Sequence, residues 1–355
     1  MKKNRTWLPV LLAVSLLAAG CSGAGETDGA GGVSEAGSQT GASGQTESGE
    51  ALQELDVVLD WYPNAVHSFL YIAQEKGYFA EEGLQVNILY PTNGNDAVAL
   101  TAAGQADIGF YYQEDTIITR TNEGVPVKSI GTVVQGPISV FAALADTGID
   151  GPEDFAGKTI GYSSTQFGEK AIETVLQEAG ISLDQVEIID VGFDLTSAMT
   201  TGNVDATYGC FVNHEIPALE EAGFEVNYFS PTEYGVPDYY SLILVAGESN
   251  LAKKGDAYAG FLRACQKGFA DMKADPDAAL QVLMANQSVD NFPLSEYVET
   301  RSFQVLLPLM EKENSPFLTQ DAAVWQANID WLQETGITEK ALTPEDFLVN
   351  LLEDV

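Results

Sequence analysis

Cysteine and histidine are both scarce in this chain of 355 residues: Cys21, Cys210 and Cys265 stand far apart, and only two histidines occur, His67 and His214. There is no CxxC pair and no Cys/His cluster at ligand spacing, so neither a disulfide scaffold nor a metal site is expected. The chain is long enough to bury its own cores without such staples. Positive charge is also short, with 16 Lys and Arg against 52 Asp and Glu and a formal charge of −36. A field of that sign repels phosphate backbones and anionic lipid, which excludes nucleic acid and direct docking of the folded part on a membrane surface. No GxSxG, HExxH or Walker motif is present, and no nucleophile stands with a base at a known spacing. No cofactor is expected.

Hydrophobic length is short as well. Trp7 to Ala19 is apolar behind Lys2, Lys3 and Arg5, and "LLAAGC" then sets small residues before Cys21. This is the layout of a cleaved secretory signal over residues 1–20, too short to span a bilayer as a mature helix. The cysteine resembles that of the bacterial lipoprotein signal, which implies lipidation at Cys21 and an anchor on the outer face of the cell membrane, although Ala18 stands where that signal more often has Leu. Residues 21–54 are Gly, Ser, Ala, Thr and Glu with almost no large apolar side chain, a composition that reads as a flexible tether.

From residue 55 strand-like and helix-like segments alternate. "LDVVLD", "LQVNILY", "ADIGFYY", "VKSIGTVVQ" and "ISVFAALA" read as strands, with helices between the earlier ones. A second series runs from "KTIGYSS" to "FEVNYFS", and "YYSLILVAG" is a last strand before a mostly helical C-terminus. Alternation on this scale predicts an α/β fold with mainly parallel sheets. Two such series predict two lobes with a cleft between them: residues 55–145, then 146–237, with 238–355 returning to complete the first lobe. Tyr258, Phe261, Leu262, Cys265 and Phe269 repeat at helical spacing, which makes Cys265 a buried hydrophobe.

Ligands of open α/β sheets bind beyond the carboxyl ends of the strands. Aromatic residues recur there: Trp61 and Tyr62, Tyr111 and Tyr112, Tyr162, Tyr208, and Tyr239 with Tyr240. One tyrosine in such a place is ordinary packing, but several loops aiming rings at one crevice suit a flat aromatic ligand. Asp60, Asn64, His67, Gln113, Glu114, Asn213, His214 and Glu215 stand beside them as polar contacts. A carboxylate can accept from both an exocyclic amine and a protonated ring nitrogen of an aminopyrimidine, and Glu215, Asp60 and Glu114 are the candidates in that order. "GYSSTQFGEK" brings Ser164 and Thr165 to a helix N-terminus, where backbone N–H groups can meet a carbonyl or an anion.

"LDWYPNAVHSFLYIAQEKGYFAEEGLQVNILYPTNGNDAVALTAAGQADIGF", followed by "DFAGKTIGYSSTQFGEKAIETVL", "GNVDA" and "YGVPDYYSLILVA", resembles the family that joins bacterial binding lipoproteins for the thiamine pyrimidine with the fungal synthases of that pyrimidine phosphate. The resemblance covers most of residues 55–250. It implies the two-lobed periplasmic-binding-protein fold of type II, a monomer, and capture of a formylaminopyrimidine or aminomethylpyrimidine for an ABC permease and its ATPase. It also implies that Trp61 and Asp60 face the ligand and that Glu215 reads the pyrimidine. The departures are two: Tyr111 replaces the lysine that holds pyridoxal phosphate in the synthases, and their cysteine-rich motif is absent. Without that amine no Schiff base forms, so binding rather than synthesis is expected. Riboflavin and alkanesulfonates remain alternative ligands, because relatives of this fold change ligand by exchanging loop residues.

Overall fold

The computed structural model describes residues 51–352 apart from 164, 193 and 341. Residues 1–50, with Cys21, and Ser164 thus lie outside the described residues. Strand β1 (Gln53–Val58) opens the fold two residues before the expected start, because Gln53 and Glu54 already pair with Leu84 and Gln85. The first series continues through α1 (Ser68–Glu75), α2 (Tyr78–Glu81), β2 (Leu84–Leu89), α3 (Asp96–Ala102), β3 (Ile108–Tyr111), α4 (Gln113–Glu123) and β4 (Val127–Val134). The second holds β5 (Ser139–Leu144), β6 (Thr159–Tyr162), α5 (Gln166–Glu178), β7 (Glu187–Asp190), α6 (Leu195–Thr200), β8 (Ala206–Phe211), α7 (Glu215–Glu221) and β9 (Val226–Phe229). After β10 (Leu242–Gly247) come α8 (Glu248–Ala274), α9 (Pro276–Ala285), α10 (Glu296–Met310), α11 (Ala322–Glu334) and α12 (Pro344–Phe347).

These strands form two five-stranded sheets, ordered β2-β1-β3-β10-β4 and β7-β6-β8-β5-β9. Each is parallel except for its fourth strand: β10 runs antiparallel to β3 and β4, and β5 antiparallel to β8 and β9. The reading of 55–145 as one lobe is therefore corrected at its end, since the chain crosses between sheets after Val134 and β5 belongs to the second. The cause is packing: Phe141 on β5 stacks on Phe229 and lies 4.7 Å, ring to ring, from Tyr208, inside the second sheet's core.

The two crossings lie side by side and are joined where the Ile138 N–H donates to Ser241 Oγ at 2.9 Å. Gln135, buried in the first crossing, donates from Nε2 to the carbonyls of Met310, Ser315 and Pro316, tying that crossing to the C-terminal segment. Helix α8 crosses α1 so closely that a Cβ on Gly268 would stand 2.2 Å from the Phe69 carbonyl oxygen. Only glycine permits that approach, which fixes the helix leading away from the first loop. Cys265 is fully buried on α8 with Phe261 and Phe269, as its spacing predicts, and both Cys210 and Cys265 are free thiols.

Candidate functional site

A cavity of about 390 Å³ is lined by loops from both sheets, by the two crossings and by the C-terminal segment. From the first sheet come Asp60, Trp61, Asn64, Tyr112, Glu114 and Asp115; from the second, Thr165, Tyr208, Asn213, His214 and Glu215; from the crossings, Ser139, Tyr239 and Ser241. Strand carboxyl ends supply most of these, as the topology requires. Trp61 is 45% exposed at the mouth, an unusual position for the largest apolar side chain.

The first loop is held in shape by its own polar groups. Asn64 Oδ1 accepts from the Val66 N–H at 3.1 Å and caps the turn Ala65–His67 that precedes α1. The Asn64 N–H donates to His67 Nδ1 at 3.3 Å, which leaves Nε2 as the ring's donor to Asp60 Oδ1 at 2.9 Å. Tyr112 donates to the other oxygen, Oδ2, at 3.2 Å. Asp60 is thus fixed from behind with lone pairs left toward the cavity.

Glu215 is held in the same way from the second sheet. Its Oε2 accepts from the Phe211 N–H at 2.8 Å, and its Oε1 pairs with His214 Nδ1 at 3.0 Å. Burial alone would lower the His214 pKa, but the hydrogen bond and charge of Glu215, together with the charge of Glu299, outweigh it and raise it. Asn213 donates to Ser302 Oγ at 3.1 Å while its Oδ1 is buried without a partner.

Four expected contacts stand behind the wall instead of on it. His67 is fully buried behind Asp60, and Tyr111 donates to Asn95 Oδ1 at 3.1 Å, away from the cavity. Gln113 spends its carbonyl on the Tyr240 N–H at 2.8 Å. Tyr162 is half-buried beside Gly168 and does not line the space. The alternation of side chains along a strand explains the split between Tyr111 and Tyr112, neighbours that leave β3 on opposite faces.

Phe292, Glu299 and Ser302 of the C-terminal segment lay outside the sequence reading, as did Asp115, Ser139 and Ser241. Phe292 packs edge-on against Trp61 and parallel to Tyr62, and stacks on His214 at 5.6 Å, so it touches loops of both sheets. Glu299 on α10 is 1% exposed, and its Oε2 accepts from the Ala65 N–H at 2.7 Å. Burial raises its pKa above the usual carboxylate value, against the pull of that bond and of His214 and His67. Ser302 follows one turn later. An acid inside the buried stripe Val298, Ser302, Phe303 and Leu306 was the available signal. Among the described lining residues none is Lys or Arg, and among the described residues no acid, His or Cys group is placed to hold a metal.

The chain matches the family model described as NMT1/THI5 like over residues 64–279. It is 43% identical over 297 residues to the formylaminopyrimidine-binding protein of Halalkalibacterium halodurans, covering 84% of this chain and 90% of that protein. It is 27% identical over 311 residues to the 4-amino-5-hydroxymethyl-2-methylpyrimidine phosphate synthase of Uromyces fabae, covering 84% and 86%. Among solved structures, the periplasmic aliphatic sulphonate binding protein SsuA of Escherichia coli superposes with a TM-score of 0.64 at 14% identity, covering 84% of this chain and 93% of that one. The architecture is the two-lobed periplasmic-binding-protein fold, and at that identity the fold is all the two share.

Proposed function

The chain belongs to the NMT1/THI5-like family, and from that premise we propose that it is the substrate-binding component of an ABC importer, capturing an aminopyrimidine precursor of thiamine of the formylaminopyrimidine or aminomethylpyrimidine type. The observation that carries this reading is the pair of pre-oriented carboxylates, Asp60 and Glu215, facing one cavity from opposite sheets beside the exposed ring of Trp61. A flat ring stacked on Trp61 would present its amino and ring-nitrogen edges to those acids, a charge-assisted pairing. Asp60, Trp61, Asn64, Tyr112, Glu114, Thr165, Asn213, Glu215 and Tyr239 are the proposed contacts, with His67, Tyr111, Gln113 and Tyr162 supporting them from behind. The ligand would draw the sheets together about the crossings at Ile138 and Ser241, shifting the population to a closed state by its higher affinity for that state.

The ligand would then pass to a membrane permease driven by its ATPase. Among the described residues no helix is long and apolar enough to cross a membrane, and the signal at 1–20, lipidation at Cys21 and the tether to 54 supply the anchor in this reading. Sulfonate is disfavoured by a lining that contains Asp60, Glu114, Asp115, Glu215 and Glu299 and neither Lys nor Arg among its described members. Pyridoxal phosphate does not fit either: Tyr111 replaces the lysine, its hydroxyl bonded to Asn95, and the described lining residues offer no amine. A thermal-shift screen against aminopyrimidines, riboflavin and alkanesulfonates tests the reading, since a ligand of the native state raises the midpoint. An aminopyrimidine is expected to give the largest shift; a shift from a sulfonate or flavin alone would reject it.

A further inference from the structure

The acids of the cavity wall stand at two places. Glu299 packs against the first loop through the Ala65 N–H. The charge of Asp115 acts on Glu114 and Tyr112, and that of Glu114 on Tyr112, Tyr208 and Tyr239, with Asp60 the foremost charge on Tyr112. Resting on the reading that a small heteroaromatic compound fills this cavity, we propose that Glu114 and Asp115, with the hydroxyls of Tyr208 and Tyr239, form a subsite for the protonated amino group that the aminomethylpyrimidine form of the ligand carries and the formyl form lacks, and that the cavity rejects the phosphate ester of the same ring.

Glu114 and Asp115 occupy the first turn of α4. A helix N-terminus favours acids there, but it does not account for their burial against a cavity. Glu114 Oε2 is buried with no hydrogen-bond partner, and beside it the hydroxyls of Tyr208 and Tyr239, 4% and 1% exposed, face each other and Ser139 with no hydrogen bond to a charged group. Polar atoms in such surroundings are expected to be paired. Burial pushes the Asp115 carboxyl up to about 6, and burial followed by the charge of Asp115 raises Glu114 well above the usual range. No Lys or Arg among the described lining residues compensates them.

An ammonium group supplies what this region lacks. It has three donors and one positive charge, enough to meet both carboxylates and one phenol oxygen. A phosphate dianion would instead face Asp60, Glu114, Asp115, Glu215 and Glu299 with no Lys or Arg among the described lining residues to offset them.

Calorimetry on the purified chain with one ring and three substituents tests this. The ring is 4-amino-2-methylpyrimidine, the one in the relatives' name, carrying aminomethyl, hydroxymethyl or hydroxymethyl phosphate at position 5. The wild-type chain is expected to prefer the amine to the alcohol by at least about tenfold, and to bind the phosphate at least about a hundredfold more weakly than the alcohol. The double variant Glu114→Gln/Asp115→Asn, checked for an unchanged melting midpoint, is expected to bring the amine-to-alcohol ratio close to one. Equal wild-type affinities for amine and alcohol, or a phosphate that binds tightest, would overturn the subsite while leaving the pyrimidine reading in place. Failure of all three to bind would overturn that reading and the subsite with it.

Discussion

His67 Nε2 lies 2.9 Å from Asp60 Oδ1, with the imidazole fully buried and the carboxylate on the cavity wall. The histidine therefore acts on a ligand through Asp60, and its removal should register first as lost stability. His67→Ala is expected to cost about 2–4 kcal/mol, from the space left in the core and from the partners taken from Asp60 and the Asn64 N–H. Urea unfolding measures this. Unchanged stability with abolished ligand binding would make His67 a direct contact.

Trp61 should behave in the opposite way. Nearly half its surface is exposed, and its ring neighbours are Tyr62 and Phe292 at the mouth. Trp61→Ala is expected to weaken aminopyrimidine binding by about tenfold to a hundredfold, while changing the unfolding free energy by no more than about 0.5 kcal/mol. Calorimetry and denaturation on the same preparation separate the two.

Stability should fall as the pH rises through neutrality, by way of His214 and Glu299. Both pKa values are raised in the folded chain. A raised histidine contributes stability that is complete below its ordinary value of 6.5 and is lost as the pH passes the folded value. The raised carboxyl has the same sign, its contribution fading from its ordinary 4.5 upward through the folded value. Urea midpoints between pH 5 and pH 8 should therefore decline in part through these groups, and His214→Asn should flatten the segment above pH 6.5. An unaltered slope in that variant would contradict the assignment.

Much of the architecture was legible because the local signals agree with one another. Ala171, Ile172, Val175 and Leu176 form one stripe and are all buried, and Gly180, just past the end of α5, takes φ 71°. Asp275 with Pro276, by contrast, opens α9 through a side-chain cap on the Ala278 N–H, a start readable from two residues. The sheet that β5 joins was not legible, since an apolar run states that it is a strand and not which neighbours it pairs with. At the site, residues at strand ends could be named, but the face each presents could not, which is why Tyr112 lines the cavity and Tyr111 does not. Phe292, Glu299 and Ser302 escaped because they reach the cavity from a distant segment, through packing that no spacing in the sequence encodes.

Phe292 connects the loops of both sheets through its contacts with Trp61, Tyr62 and His214. Such a ring should slow the escape of ligand more than it speeds entry. Phe292→Ala is expected to raise the dissociation rate about tenfold, with the association rate changed by less than about threefold. Stopped-flow mixing followed through tryptophan fluorescence reads both rates.

The central claim, that the cavity takes a thiamine-type aminopyrimidine, is tested most directly by titrating formylaminopyrimidine into the purified chain in a calorimeter, with Glu215→Gln alongside. The account predicts one site per chain with a Kd below about 1 µM, equivalent to about 8 kcal/mol, and a loss of at least about tenfold in the variant. No binding of the pyrimidine, in a preparation that an alkanesulfonate or riboflavin saturates, would contradict it.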